Sequence, residues 1–363
     1  MGWRAALLGL ACFAVPVAAQ PGPDGIDWVT VGAPGNTPYL GFSDPLSPTY
    51  GHGSVGYEFN IGRTEVTTGQ WMEFLNAAMA RPDPLPFAQT FWWDTPVFWG
   101  AEADPTYSGP GTRFRLRSNV ADAAMVPVGG ISWRHAAVMC NWLHNGKAAA
   151  QSAFSSGAYD VSTFGPELSH PTFTDQATRS PGARYWIPSL DEYLKAVYYD
   201  PHHAGPGVGG WWSRPNGSDT PLVYGPPPSF GGDGTGQANA GFRLPGDAHL
   251  NIPLGAYPQV QSPWGLLDTA GGTVEWLEDI WATPTEMYRM RDGSARGNTS
   301  TGLDMLIWWG TDSPHLSTST QGVRLASAVP SPGGSITIAG ACVLLGWRRL
   351  RSQSSCGESS SSA

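Results

Sequence analysis

The sequence predicts an α+β fold in which a few short helices and strands are joined by long, irregular loops. Glycine (47) and proline (33) are abundant among the 363 residues, which is typical of turns and loops and not of a helical bundle. Hydrophobic residues make up 41% of the chain and charged residues 13%, so the chain can bury a substantial core. Only three segments combine a helix-start signal with apolar residues at helical spacing.

Each predicted helix begins directly after a residue that can cap it. Thr67 and Gln70 have the spacing of a capping box, in which the two side chains satisfy free backbone amides reciprocally. A second helix begins after Ser132, and a third begins after Ser189 with Glu192 completing another capping box. Apolar residues then recur on one side of each segment, which predicts that this side is buried.

Strands and loops make up the remainder of the prediction. Alternating or apolar runs at residues 57–61 and 321–325 predict strands. Long segments without a regular pattern lie at residues 81–126, 146–184 and 200–250. Loops of this length are uncommon unless a function or a special fold requires them.

Charge and aromatic content restrict the possible ligands. The formal net charge of −9 argues against a nucleic-acid partner, because the chain lacks the basic surface that a phosphate backbone requires. The seventeen tryptophans either build an aromatic core or line a groove that stacks sugars, and the core interpretation is favoured.

The first residues predict export. Arg4 precedes an apolar run at residues 5–17, and small residues follow at 17–19 (VAA). The run is too short to favour a permanent membrane span. We expect a signal peptide at residues 1–19, cleavage near Ala19, and an extracellular or cell-envelope location for the mature protein.

The last residues predict a sorting or membrane tail at 329–351. A breaker cluster at 329–334 (VPSPGG) precedes a mostly apolar stretch at 335–347 and a basic group at 348–351 (RRLR). This layout resembles the PEP-CTERM sorting tail of bacterial exported proteins, which implies processing by an exosortase. It departs from that family in having serine between the two prolines and a serine-rich extension at 352–363. The alternative is a plain membrane anchor.

Five short motifs occur in a fixed order between about residues 25 and 328. They are 57–67 (YEFNIGRTEVT), 127–133 (PVGGISW), 185–193 (YWIPSLDEY), 265–276 (GLLDTAGGTVEW) and 322–324 (GVR). Together they resemble the formylglycine-generating enzyme, or sulfatase-modifying factor, family. The resemblance implies one domain over residues 25–328 with an irregular, C-type-lectin-like fold.

The oxidase activity of that family depends on two cysteines that bind copper(I), an ion that prefers soft thiolate ligands. In the family they follow an Arg-Gly-Gly-Ser turn, which here reads RDGS at 291–294, and the cysteine positions fall near Gly297 and Gly302. The remaining cysteine of the predicted domain, Cys140, lies on the apolar side of the second helix and is interpreted as a small buried residue. We therefore expect no copper, no catalytic residue at these positions and no formylglycine-generating activity.

The resemblance also implies a structural calcium site. Carried over by position, Asp268 and Glu275 would supply carboxylates, and Gly271 and Thr273 would supply backbone carbonyls, which are ligands that calcium accepts. The alternative is that Asp268 caps a turn and Glu275 pairs with an arginine.

Other metal and catalytic motifs are sparse. Asn239 and Asp247 fall near a second calcium site of the family, but the match there slips by a residue or more. His202 and His203 are adjacent, and neighbouring side chains in a loop diverge. The sequence contains no H-E-x-x-H, C-x-x-C or G-x-S-x-G motif.

Three functions remain open from the sequence. The first is a non-catalytic binding module at the cell surface that recognises a glycan or a protein, since long loops on a rigid scaffold suit recognition. The second is an oxidoreductase or protein-modifying enzyme of the same family that uses other residues. The third is a structural envelope protein without a small ligand. Metal analysis and glycan binding distinguish the three, because fold alone does not determine function.

Overall fold

The computed structural model describes residues 22–41, 47–82, 95–165, 174–282, 287–297, 306, 308–317 and 320–330. The predicted signal peptide, Gly302, residues 331–351 of the predicted tail and the serine-rich extension lie outside the described residues. The chain divides into two units, Met1–Val329 and Pro330–Ala363, and the first contains the fold described below. Among the described residues, no helix has both the length and the apolar character needed to cross a membrane.

The three predicted helices are confirmed. They are α1 (Thr68–Met79), α2 (Trp133–His144) and α4 (Leu190–Tyr198), and a one-turn helix, α3 (Ser152–Ser155), lies between the last two. Both capping boxes form at α1 and α4, and the Ser132 side chain accepts a hydrogen bond from the His135 amide at the start of α2. The local hydrogen-bonding signals therefore determine where each of these helices begins.

Four strands form the first sheet: β1 (Trp28–Val31), β2 (Phe59–Gly62), β5 (Tyr185–Trp186) and β12 (Ala326–Ala328). Their order is β1-β2-β12-β5, and all neighbours are antiparallel.

Four other strands form the second sheet: β8 (Val274–Ala282), β9 (Met287–Asp292), β10 (Gly310–Asp312) and β11 (Gln321–Gly322). Their order is β10-β9-β8-β11, in which β8 and β11 are parallel.

The single strand predicted at 321–325 is wrong in its extent. The backbone forms β11 in the second sheet, leaves the strand conformation at 323–325, and enters β12 in the first sheet. The apolar pattern continues across the break because Val323 and Leu325 are both 1% exposed in the core. The buried residues therefore gave the apolar pattern of one continuous strand, although the chain passes from one sheet to the other here.

The long segments predicted as loops contain more regular structure than expected. A hairpin of β3 (Ala101–Ala103) and β4 (Phe114–Leu116) lies in the first segment, and β6 (Tyr199–Asp200) pairs with β7 (Gly210–Trp211) around the third. Short 3₁₀ helices also occur, including Pro245–Asn251. These elements are only two to seven residues long, so the described chain is still the predicted loop-rich α+β fold.

Tryptophans form a large part of the core, as predicted. The buried indole rings are spread along the chain: Trp71, Trp99, Trp133, Trp142, Trp186 and Trp276. Cys140 lies in the same core with no exposed surface, and burial raises the pKa of its thiol well above the ordinary range. A buried thiol of this kind is inert packing material.

Candidate functional site

The closing motif at 322–324 and the motif at 265–276 meet in a buried ion pair. The Arg324 guanidinium donates to both carboxylate oxygens of Glu275, from Nε at 3.1–3.2 Å and from Nη2 to Oε1 at 3.0 Å. Its remaining donors reach the carbonyl oxygens of Gly62, Arg63 and Leu267. Both side chains are at most 2% exposed, so the pair joins the two sheets inside the core.

The residues predicted to bind calcium lie close to this ion pair. Asp268 has a left-handed backbone (φ 54°), and its Oδ2 accepts a hydrogen bond from the Gly255 amide at 2.6 Å. The Gly271 amide donates to the Ser294 hydroxyl, and the Thr273 amide donates to Glu65. Within the described chain, no three histidine, cysteine or acidic residues are grouped as a metal site requires.

These contacts fit a calcium ion poorly. Glu275 already has its charge matched by Arg324, and Asp268 acts as a turn acceptor. An ion would have to compete with a buried guanidinium for the Glu275 carboxylate. Calcium binding therefore stays a prediction, and the contacts agree better with the alternative of a turn cap and an arginine pair. Asn239 and Asp247, near the second calcium site of the family, have different surroundings. The Asn239 side-chain amide donates to the His249 carbonyl, whereas Asp247 is exposed.

Gly297, which falls near a cysteine position of the family, is enclosed by polar groups. Its backbone is left-handed (φ +70°), and a β-carbon added there would lie 2.7 Å from His249 Nε2. Its carbonyl oxygen accepts a hydrogen bond from Arg243 Nε at 3.1 Å. The backbone conformation and the imidazole ring both favour glycine at this position.

His249 is held as a neutral ring. The Leu244 amide donates to Nδ1 at 3.3 Å, so the proton of the neutral ring is on Nε2, the atom that faces Gly297. Burial lowers the pKa of His249, and the nearby Arg243 and Arg296 lower it further, whereas Asp247 raises it. His249 is 2% exposed, and a β-carbon added at Gly297 would lie against its Nε2.

A cleft of about 280 Å³ opens beside this arrangement. One wall is formed by Phe98, Trp99 and Arg117, and the other by Gly246, Asp247 and Asn251. The two walls connect to the Gly297 region in different ways. Arg296, the neighbour of Gly297, donates to the Phe98 carbonyl at 3.1 Å, and His249 belongs to the same 3₁₀ segment as Asp247.

The second wall of the cleft has an unusual backbone. Gly246 (φ 61°) and Asp247 (φ 55°) are consecutive left-handed residues within Pro245–Asn251. A left-handed conformation is easy for glycine and costs an aspartate about 1 kcal/mol. Such strain is found preferentially at functional sites. We therefore regard this cleft as the candidate functional site.

Sequence reasoning identified only part of this site. The sequence singles out Gly297 as a position near which the family's cysteine is absent, and Asp247 as a residue near a second calcium site of the family. Phe98, Trp99 and Arg117 were not predicted, because they lie in a segment interpreted as loop and are separated from residue 246 by more than a hundred positions. The one local signal was the turn chemistry of residues 245–247 (PGD), which favours left-handed backbone.

Comparison with solved structures finds similar folds at low sequence identity. The structure of CarF has a TM-score of 0.47 and 19% identity, covering 85% of this chain and 100% of that chain. Treponema denticola variable protein 1 has a TM-score of 0.45 and 15% identity, with coverages of 83% and 95%. PvdO from Pseudomonas aeruginosa has a TM-score of 0.46 and 14% identity, with coverages of 85% and 97%.

Sequence comparison gives the family. No curated protein matches the chain significantly. The family model described as a sulfatase-modifying factor enzyme 1-like domain (FGE-sulfatase) matches residues 51–329, which is well over half of the chain. The match contains all five motifs that carry the resemblance, including the two that meet in the Glu275–Arg324 ion pair. The chain therefore belongs to the sulfatase-modifying factor enzyme 1-like domain family.

Proposed function

We propose that this protein is an exported, non-catalytic binding domain of its family, and that the cleft between Phe98 and Asp247 is its ligand site. The observation that carries the proposal is the enclosure of Gly297. A cysteine at residue 297 itself would place its β-carbon 2.7 Å from His249 Nε2, on a backbone at φ +70° that side chains rarely adopt.

Copper chemistry lacks suitable ligands among the described residues around Gly297. The groups near Gly297 are the imidazole of His249, the guanidinium of Arg243 and backbone carbonyls. Copper(I), by contrast, prefers thiolates and thioethers. Cys140 belongs to the packed core on α2. We therefore derive no oxidase step for this chain.

The cleft has the composition of a recognition site. It combines the half-buried aromatic ring of Phe98 with the polar groups of Arg117, Asp247 and Asn251. Ligand sites commonly pair apolar walls with a few placed polar groups, and about 280 Å³ is near the lower end of their size range. A cleft of this size suits one ring or side chain of a larger ligand.

Location outside the cytoplasm is part of the proposal and rests on the sequence. The predicted signal peptide would export the chain, and the predicted tail would hold it at the envelope or present it to an exosortase. Cell fractionation and mass spectrometry of both ends of the mature chain test these two points. An uncleaved chain recovered from the cytoplasm would count against export.

Calcium at Asp268, Gly271, Thr273 and Glu275 is kept as a separate prediction from the family resemblance. It is tested by comparing the melting temperature in millimolar calcium with that in EGTA. A rise of several degrees with a stoichiometric ion supports a structural site. Identical melting curves and no bound ion remove calcium from the proposal.

The binding function is tested with the purified full-length chain on glycan arrays and in pull-down experiments, with calcium present. Leu250→Trp fills the cleft from its lining and should abolish binding, whereas Val223→Trp, at an exposed residue elsewhere, is the matched control. Blank screens, or equal binding by both variants, contradict the cleft as a ligand site. Stoichiometric copper or iron by elemental analysis, or turnover of a cysteine-containing sulfatase peptide, would instead establish the alternative of an enzyme that uses other residues.

A further inference from the structure

Arg117 and Asp247 balance each other in the cleft lining, and two further arginines lie behind it. The whole protein has a formal net charge of −9. Arg117 lines the cleft, and Arg243 and Arg296 lie close enough to His249 beside it to lower the pKa of that ring. Asp247 is the one carboxylate among the described residues that line the cleft. A local excess of positive charge on an acidic protein attracts anions to this place.

Arg117 is presented with its terminal nitrogens available. Its backbone amide donates to the Gly100 carbonyl at 2.9 Å, and its Nε donates to the Ala101 carbonyl at 3.1 Å. Among the described residues, no carboxylate forms an ion pair with Arg117, so both Nη groups are left for a ligand. Two parallel N–H donors match the two oxygens of a carboxylate or sulfate.

Arg243 and Arg296 have different roles from Arg117. Arg243 is exposed and anchored by its Nε to the Gly297 carbonyl, and no described carboxylate pairs with it. Arg296 is buried and its Nη groups are used by the carbonyls of Pro127 and Phe98. Burial lowers the pKa of Arg296 to about 10, so it still carries its charge at neutral pH. It contributes positive potential and holds the Phe98 wall in place.

The lining also indicates what surrounds the anion on the ligand. Asp247 and Asn251 line the same cleft as Arg117, and their side chains contain acceptor oxygens. The hydroxyl groups of a sugar can donate to these oxygens, whereas the carboxylate side chains of an acidic peptide can only accept hydrogen bonds. Trp99 is buried in the core, whereas the half-buried Phe98 offers an apolar surface beside these polar groups, which suits the ring face of a sugar.

We propose that the cleft binds an acidic sugar, with the Arg117 guanidinium gripping its carboxylate or sulfate and Asp247 and Asn251 accepting hydrogen bonds from its hydroxyls. The proposal rests on the binding function proposed above and adds the chemical class of the ligand.

The test is calorimetric titration of the full-length chain with four probes. Trigalacturonate and a sulfated disaccharide represent the two sources of the oxyanion. The methyl ester of trigalacturonate keeps the hydroxyls and removes the charge, and tetraglutamate keeps the charge and removes the sugar. At least one of the two acidic sugars should bind, and the stronger of them identifies the source. The methyl ester and tetraglutamate should each bind at least about tenfold more weakly than it, because charge-assisted hydrogen bonds to one group are worth about that factor.

Variants connect the result to Arg117. Arg117→Gln should lower the affinity for the acidic sugar about tenfold or more. Arg117→Lys should recover part of that affinity, because lysine keeps the positive charge but lacks the two parallel N–H donors of arginine. Arg115→Gln, two residues earlier on β4 and paired with Glu102 on the surface, is the matched control for loss of one positive charge.

The outcomes separate the two proposals. The acidic-sugar assignment is overturned by any one of three outcomes: equal binding of the ester and the acid, preference for tetraglutamate, or unchanged affinity in Arg117→Gln. If neither acidic sugar binds, the assignment also fails, and the binding function itself fails only if the glycan arrays and pull-down experiments are blank as well. Folding of each variant is checked by its melting temperature, and Arg117→Lys keeps the comparison decisive if Arg117→Gln is unstable.

Discussion

Arg324 Nη2 lies 3.0 Å from Glu275 Oε1 in the interior, where the two side chains are at most 2% exposed. This contact links β8 to the segment between β11 and β12, and it pairs charged residues from two of the sequence motifs with each other. Removal of one partner leaves an uncompensated buried charge, which is much more costly than loss of a surface pair.

Arg324→Met should therefore destabilise the domain by about 3–5 kcal/mol. Urea unfolding followed by tryptophan fluorescence measures the loss. The double variant Glu275→Gln, Arg324→Met should recover part of it, since the orphaned carboxylate is then absent. Glu102→Gln, at the exposed Arg115 pair, is the control and should cost less than about 1 kcal/mol. A loss below 1 kcal/mol in Arg324→Met would contradict the role of this pair.

Gly297→Cys should destabilise the protein by about 1–3 kcal/mol and should not create copper binding. The left-handed backbone at φ +70° disfavours any β-carbon, and the new side chain would collide with His249 Nε2. Thermal unfolding measures the first effect and copper(I) titration the second. His249→Ala in the same chain should relieve the steric part, which separates it from the backbone part. A stable single variant that binds copper tightly would show that the site is open.

Glu278 should make stability fall as pH rises from about 4.5 to about 7. Burial raises its pKa from 4.5 to about 7, although Arg179 opposes this. The folded state then retains a proton that the unfolded state has already lost, so unfolding becomes easier with increasing pH across this window. The effect on the free energy of unfolding is on the order of 3 kcal/mol, because each pKa unit corresponds to about 1.4 kcal/mol.

The measurement is the free energy of unfolding of the wild type and of Glu278→Gln at pH 4.5, 5.5, 6.5 and 7.5. The variant cannot ionise, so its curve should be flatter than the wild-type curve over this range. Glu102→Gln again serves as the control for loss of one carboxylate. Parallel curves for the wild type and Glu278→Gln would contradict the raised pKa.

Ser189→Ala should cost about 1 kcal/mol of stability, within a usual range of about 0.5–2 kcal/mol for an N-cap. The Ser189 hydroxyl accepts a hydrogen bond from the Glu192 amide at the start of α4, and the Ser189 amide donates one to the Glu192 carboxylate. Ser189→Asp keeps an acceptor at the cap and should retain most of the stability. Equal melting temperatures for the wild type and the alanine variant would show that the cap is energetically neutral.

The starts of the helices are the part of the fold that was most predictable. Thr67 with Gln70 and Ser189 with Glu192 interact across three residues, so the sequence alone contains both partners of each hydrogen bond. The order of the five motifs also indicated the family before any contact between them was known. The strand at 321–325 was predicted less well, because burial on two different sheets produces the same apolar pattern as one continuous strand.

The candidate site depended on contacts that no local pattern contains. Arg117 and Asp247 line the same cleft although they are 130 residues apart in the chain. The sequence allowed Glu275 to bind calcium or to pair with an arginine, and only the structure identified Arg324 as its partner. The sequence by itself determined the helix caps, the aromatic core and the family, because those properties depend on near neighbours or on motifs read in order. Only the tertiary structure decided that Gly297 faces His249 and that Arg117 and Asp247 line one cleft, because such contacts arise when distant segments pack together.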